Sequence, residues 1–189
     1  MLSDFLQNQA ALYAAGCLTP DARADFEVLV DFDAELREFV AGCVETGARL
    51  LQPVSRDVRP ADDLKARIAG VIEERAAKLG PEAKVVCGPD GLFEWANAAF
   101  LSMCGYAPEE LRGRKPGSIL QGGETDPEAA GRLRQAVRER CPVTETILNY
   151  HKNGRAYWVN ISMAPILDDD GELLWFVARE RELRGGTPA

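Results

Sequence analysis

Histidine is nearly absent from this chain of 189 residues, occurring once, at His151. That histidine is not accompanied by a nucleophile in any recognisable catalytic pattern, and beside a turn it is a poor haem ligand, so haem is not expected. Phosphate-binding glycine loops, paired cysteine ligands and kinase or cyclase segments are missing too, so an enzyme is not expected. No apolar run approaches the roughly 20 residues needed to cross a bilayer. The opening Met1-Leu2-Ser3-Asp4-Phe5 has neither the cationic start nor the apolar stretch of a secretory signal. No membrane association and a cytoplasmic location are the expectation. Positive charge is also short: 22 Lys and Arg against 30 Asp and Glu leave a net charge of −8. That argues against nucleic acid as a direct partner, because phosphate binding needs a basic surface. The five cysteines (Cys17, Cys43, Cys87, Cys104, Cys141) are odd in number and scattered, which is no disulfide framework and suits a reducing compartment.

What is present fits two domains of ordinary globular composition, 46% apolar and 28% charged. The first eighty residues read as helices. One is expected from Ser3 to Ala15, and Thr19-Pro20-Asp21 starts a second that carries Phe26, Leu29 and Val30. Leu36, Phe39, Val40, Cys43, Val44, Gly47, Leu50 and Leu51 recur at three- and four-residue steps and form a stripe on a third. Residues 53–81 read as a linker with polar residues and proline and a fourth, connecting helix with Leu64, Ile68, Val71 and Ile72 on one side.

Beyond residue 82 the pattern becomes that of strands. Val85-Val86-Cys87 and Leu92-Phe93-Glu94-Trp95 flank the turn Pro89-Asp90-Gly91. Short helices follow, then a longer one opened by Thr125-Asp126-Pro127-Glu128. Strands over Thr144–His151, Ala156–Pro165 and Glu172–Glu182 are separated by turns at Asn153-Gly154 and Asp169-Asp170-Gly171. The expected architecture is an α domain (1–52) followed by an α/β domain (82–183). The latter is a five-stranded antiparallel sheet with helices over one face, and residues 184–189 form a flexible tail.

This order, with Trp95-Ala96-Asn97-Ala98-Ala99-Phe100 and Cys104-Gly105-Tyr106, resembles the PAS sensory domains. The resemblance continues through Gly113-Arg114-Lys115-Pro116, Leu120-Gln121-Gly122, Leu148-Asn149-Tyr150 and Tyr157-Trp158, segments that are similar to the flavin-binding LOV subgroup. Those sensors attach a cysteine to the flavin from the stretch before Leu-Gln-Gly. Here that stretch is Lys115-Pro116-Gly117-Ser118-Ile119, with no cysteine. The resemblance implies a non-covalent flavin, FAD or FMN, with Asn97, Gln121, Asn149, Val159, Phe176 and Glu180 at the pocket. Of the usual three polar contacts only Asn149 matches, since Val159 and Glu180 replace an asparagine and a glutamine. The residues alone also allow an empty pocket or one for a small metabolite. Cys87 and Cys104 read as small core residues.

The run Leu12 to Ala22 followed by Phe26-Glu27 resembles the amino-terminal domain of anti-sigma factors, which implies a sigma factor as partner, gripped through Leu64, Ile68, Val71 and Ile72. The zinc ligands of that family are missing at Val28–Glu35, so a zinc-free member is implied. The alternatives are a helical dimerisation module and a sensory adaptor for a kinase. Strand parity places Leu148, Tyr150, Trp158, Trp175 and Val177 on the sheet face opposite the pocket. So apolar a face calls for a cover, either an amino-terminal helix or a second copy in a homodimer.

Overall fold

Three helices open the chain in a computed structural model that describes residues 2–51 and 82–183. Helix α1 (Asp4–Ala14) starts where the Ser3 hydroxyl accepts the Leu6 amide at 3.4 Å. Helix α2 (Pro20–Phe32) starts where Thr19 accepts that of Ala22 at 3.3 Å, with Pro20 in the first turn. Asp33 ends α2 and begins α3 (Ala34–Leu51), its carboxylate accepting the Glu35 and Leu36 amides at 2.8 and 3.1 Å. The expected stripe on α3 is only partly used: Leu36 and Val40 are buried, whereas Phe39, Val44 and Leu50 stay exposed. Leu64, Ile68, Val71 and Ile72 lie outside the described residues, as does the tail.

Strands β1 (Ala83–Cys87), β2 (Phe93–Ala96), β3 (Val143–Tyr150), β4 (Ala156–Leu167) and β5 (Leu173–Glu182) form one antiparallel sheet in the order β2-β1-β5-β4-β3. Four helices fill the interval between β2 and β3: α4 (Ala98–Cys104), α5 (Pro108–Leu111), α6 (Pro116–Leu120) and α7 (Pro127–Glu139). This is the expected order of elements, and β5, the last described strand, lies beside β1. Gly105 ends α4 in the left-handed conformation at φ 76°. Its hydrogen side faces the His151 ring, where a Cβ would collide.

The sheet carries an apolar core on each face. The inner core joins Phe93, Phe100, Cys104, Leu111, Leu120, Ile147, Tyr157, Val159 and Phe176. The outer core joins Phe26, Val28 and Leu29 of α2 and Leu36 and Val40 of α3 to Val86 and Val177. The helices between β2 and β3 lie over one face, as expected, and α2 of the amino-terminal half covers the other, against β1 and β5. Val86 and Val177 stand opposite each other in the β1–β5 ladder and are both fully buried. The Phe32 ring centroid lies 6.2 Å from that of Trp95 and 6.1 Å from that of Trp175. Side chains of this size contribute roughly 1.5–3 kcal/mol each when fully buried.

Two ion pairs border this apolar seam. Arg179 Nε lies 3.0 Å from Asp25 Oδ1, and Lys84 Nζ lies 2.6 Å from Asp31 Oδ2. Lys84 and Arg179 are themselves opposite in the β1–β5 ladder, so neighbouring cations on the sheet hold two acids of one helix.

The five aromatic and apolar residues expected to form one outer cluster separate into different settings. Trp175 and Val177 pack under α2. Leu148 is buried and Trp158 half-buried, outside both cores. Tyr150 belongs to the edge strand, and its ring packs on Gly122. Its hydroxyl accepts the Glu124 amide at 3.1 Å. No helix among the described residues is long and apolar enough to cross a membrane.

Candidate functional site

A cavity of about 590 Å³ lies between the inner face of the sheet and helices α6 and α7, a volume in the range of small-molecule sites. Strand alternation builds one wall. Val85 and Cys87, Asn149, Ile161 and Met163, and Phe176, Ala178 and Glu180 all point inward at two-residue intervals. The β4–β5 register sets Ile161 opposite Glu180 and Met163 opposite Ala178. Helical spacing builds the other wall: Ala130, Leu133, Arg134, Val137 and Arg138 share one face of α7. That helix is started by Asp126, whose carboxylate accepts the Glu128 and Ala129 amides at 3.0 and 3.1 Å. Lys115, Pro116, Ser118 and Gln121 complete the lining around α6.

Of the residues expected at a pocket, Gln121, Asn149, Phe176 and Glu180 line the cavity. Val159 shares their face but is fully buried in the inner core, off the cavity wall. Asn97 is also off the wall and does backbone work. Its Oδ1 accepts the Phe100 and Lys84 amides, each at 3.0 Å, and its Nδ2 donates to the Glu82 carbonyl at 2.9 Å. It thus caps α4 and ties that helix to β1. Reading the sequence missed Cys87, Lys115, Arg134 and Arg138 as lining residues. The signals were available, since Cys87 is two residues from Val85 on a strand, and Arg134 and Arg138 are four apart on a helix.

Asn149 and Glu180 are the two buried polar or charged residues among those described, with 2% and 5% of their surface exposed. Glu180 Oε2 has no hydrogen-bond partner, and neither has the Tyr157 hydroxyl. Burial in apolar surroundings pushes the Glu180 carboxyl up to about 8, so the neutral acid is favoured near neutrality. Tyr157 is held well above its usual range, by burial first and then by Glu180 and Cys104 nearby. Asn149, opposite Tyr157 in the β3–β4 ladder, offsets this slightly. Burial, with smaller contributions from Glu180, Glu94 and Asp90, pushes the Cys87 thiol up to about 12. That thiol is protonated and a weak nucleophile.

The donor set fits a flavin. An amide at Asn149 offers a donor and an acceptor to a heteroaromatic ring edge, and Glu180 offers a hydroxyl or a carboxylate. The apolar side chains of Val85, Ile161, Met163, Leu133 and Phe176 suit the ring faces. Lys115, Arg134 and Arg138, exposed at the cavity, suit a phosphate-bearing tail.

A PAS domain family model matches residues 81–181. The chain belongs to the PAS domain family. Over 95 residues this PAS protein is 37% identical to Phototropin-1A of Oryza sativa subsp. japonica, a match spanning 50% of the chain and 10% of the relative. Over 95 residues it is 36% identical to Blue-light-activated histidine kinase 1 of Erythrobacter litoralis (strain HTCC2594), spanning 50% of the chain and 26% of the kinase. The chain thus spans a small part of these curated relatives. Among solved structures, the LOV domain from the Erythrobacter litoralis EL346 blue-light activated histidine kinase superposes with a TM-score of 0.51 at 32% identity, over 55% of this chain and 96% of that one. A light-oxygen-voltage domain studied with a flavin analogue gives 0.52 at 26% identity, over 60% and 84%.

Proposed function

We propose that this PAS protein is a non-enzymatic sensory adaptor, holding a flavin non-covalently and passing its state to a protein partner, in the first instance a histidine kinase. The observation that carries the proposal is the cavity itself. It is an apolar slot with one buried amide and one buried carboxyl on the sheet, and cations on the helices opposite. The matching relatives support the kinase as partner, because several are blue-light-activated histidine kinases. The stretch Lys115–Ile119 brings no thiol to the ring, and Cys87, which does line the cavity, is held as the neutral thiol. The signal in this reading is a redox change of the flavin, driven by a reductant or by light, without a bond to cysteine.

Reconstitution with FAD and with FMN tests this. Bound flavin colours the protein yellow, and blue light leaves no cysteinyl adduct spectrum in the wild type or in Cys87→Ala. A protein that takes up neither cofactor overturns the flavin reading, and an adduct lost in Cys87→Ala overturns the redox one.

One observation favours a second partner class. Leu12, Phe39, Val44 and Leu50 are exposed on α1 and α3, leaving apolar surface on the helical half. Together with the anti-sigma resemblance of Leu12–Glu27, this supports a sigma factor at that half, with Leu64, Ile68, Val71 and Ile72 as further contacts. Binding assays with purified host kinase and sigma factor, each against residues 1–80 and the full chain, separate the two. Homodimerisation is read in the same samples by light scattering.

A further inference from the structure

We infer that Glu180 makes the cavity select its ligand by hydrogen-bond donor state, so that reducing a bound flavin transfers the Glu180 proton to the ring and creates a carboxylate on β5. The inference rests on the flavin reading above.

The starting observation is an acid placed where acids are rarely left. Glu180 has 5% of its surface exposed, lines the cavity and has no partner for Oε2. The titratable and charged groups facing the cavity come from every surrounding element. They are Cys87 on β1, Asp90 in the β1–β2 turn, and Lys115, Arg134 and Arg138 on the helical side. Tyr157 on β4 and Cys104 on α4 stand nearby. None of them makes an ion pair with Glu180 among the described residues. Burial without a countercharge favours the neutral acid, so the empty or oxidised site holds a carboxyl that can donate one hydrogen bond.

The two redox states of a flavin present opposite demands. The central edge of the oxidised ring accepts hydrogen bonds, which suits a protonated Glu180. Two-electron reduction places an N–H there, which suits a carboxylate. An amide at this position would serve both states by rotating, and would remain neutral. A carboxyl can serve both only by changing its charge. With a dithiol as reductant, the two S–H bonds break and an S–S bond forms, releasing two electrons and two protons. The electrons enter the ring, the dithiol protons go to solvent, and the ring nitrogen takes one proton from the Glu180 O–H, so that the reduced ring is left as its monoanion on the side of the cavity that carries Lys115, Arg134 and Arg138. One group in the protein thus becomes negative, in addition to the ring, for each flavin reduced.

The test compares wild type with Glu180→Gln by two measurements. Infrared difference spectra of the flavin-free protein should show a protonated carboxyl band that titrates away at alkaline pH and is missing in Glu180→Gln. In the flavin-loaded protein, reduction should bleach the same band. Equilibration with a dithiol couple between pH 5.5 and 7 should show the wild type taking up one proton fewer from solvent than the variant. Its reduction equilibrium then shifts tenfold less per pH unit, about 30 mV for a two-electron couple. Equal pH slopes, or a carboxyl band untouched by reduction, overturn the inference while leaving flavin binding intact. A persistent carboxyl band in a protein that binds no flavin overturns the flavin reading, and with it the transfer to the ring, but keeps the neutral acid.

Discussion

Glu180 is a cost to the empty fold as well as an asset to a loaded one. Its carboxyl titrates near the ordinary 4.5 in the unfolded chain and at about 8 in the folded one. Between those values the folded state retains a proton that the unfolded state releases. Stability therefore falls as pH rises from about 4.5 to about 8, and levels off above. The expected loss over that window is on the order of 4 kcal/mol. Glu180→Gln should flatten it, leaving the variant more stable than wild type at pH 8. Urea unfolding of the flavin-free protein at pH 5 and pH 8 measures this, and parallel pH dependence in the two proteins would contradict it. Asn149 carries the complementary prediction. Asn149→Leu keeps the size of the side chain but leaves ring polar atoms without a partner, so flavin affinity should fall about tenfold or more. Equilibrium dialysis reads that change, and an unaltered affinity would remove Asn149 from the binding set.

At the level of elements, α2 makes the difference between a bare sheet and a covered one. Its apolar face seals Val86 and Val177, and Asp25 reaches Arg179 from 154 residues away. Desolvation raises the Asp25 carboxyl even with Arg179 beside it, so this pair binds position more than it stabilises. Trp175→Asp puts a charge under Phe32, within an apolar cluster. The expected result is release of α2, seen as faster proteolysis within Pro20–Phe32 while far-UV circular dichroism and flavin uptake stay near wild type. Unchanged protection of α2 would show that the seam is not held by this contact.

The sequence disclosed much of this architecture and missed particular parts of it. Hydroxyl caps at Ser3 and Thr19, Pro20, and the Asp126-Pro127 start of α7 are local signals that act through nearby amides, so they were readable in order. Strand parity put Asn149, Phe176 and Glu180 on one face, because the period of two survives any tertiary context. Parity says nothing about depth, however, so Val159 was assigned to a wall it does not reach. Asn97 is a pocket residue only by the resemblance, while its three backbone contacts depend on how α4 meets β1. The need to cover the outer face was evident, yet the choice between α2 and a second copy rested on pairings such as Asp31 with Lys84 that no local pattern encodes.

Across the described residues as a whole, one sheet separates the cavity from a helical unit, and the two sides meet at consecutive residues. Glu180 faces the cavity and Arg179 faces Asp25, joined by a single peptide bond on β5. Their β1 neighbours, Ala83 and Lys84, repeat the division, with Lys84 holding Asp31. A carboxylate formed at Glu180 lies on the same strand segment as the cation that anchors α2, so it can weaken that anchor by drawing Arg179 or by twisting β5. The effect should reach α2 before it reaches α1, which meets the sheet mainly through α2 and α3. Hydrogen exchange on oxidised and dithiol-reduced flavoprotein tests the path. Amides of α2 should exchange several-fold faster after reduction in the wild type. The difference should vanish in Glu180→Gln, where no carboxylate forms, and shrink in Arg179→Met, where the pair with Asp25 is gone and only Lys84 still holds α2. Acceleration that persists in both variants would place the route from cavity to helices elsewhere in the sheet.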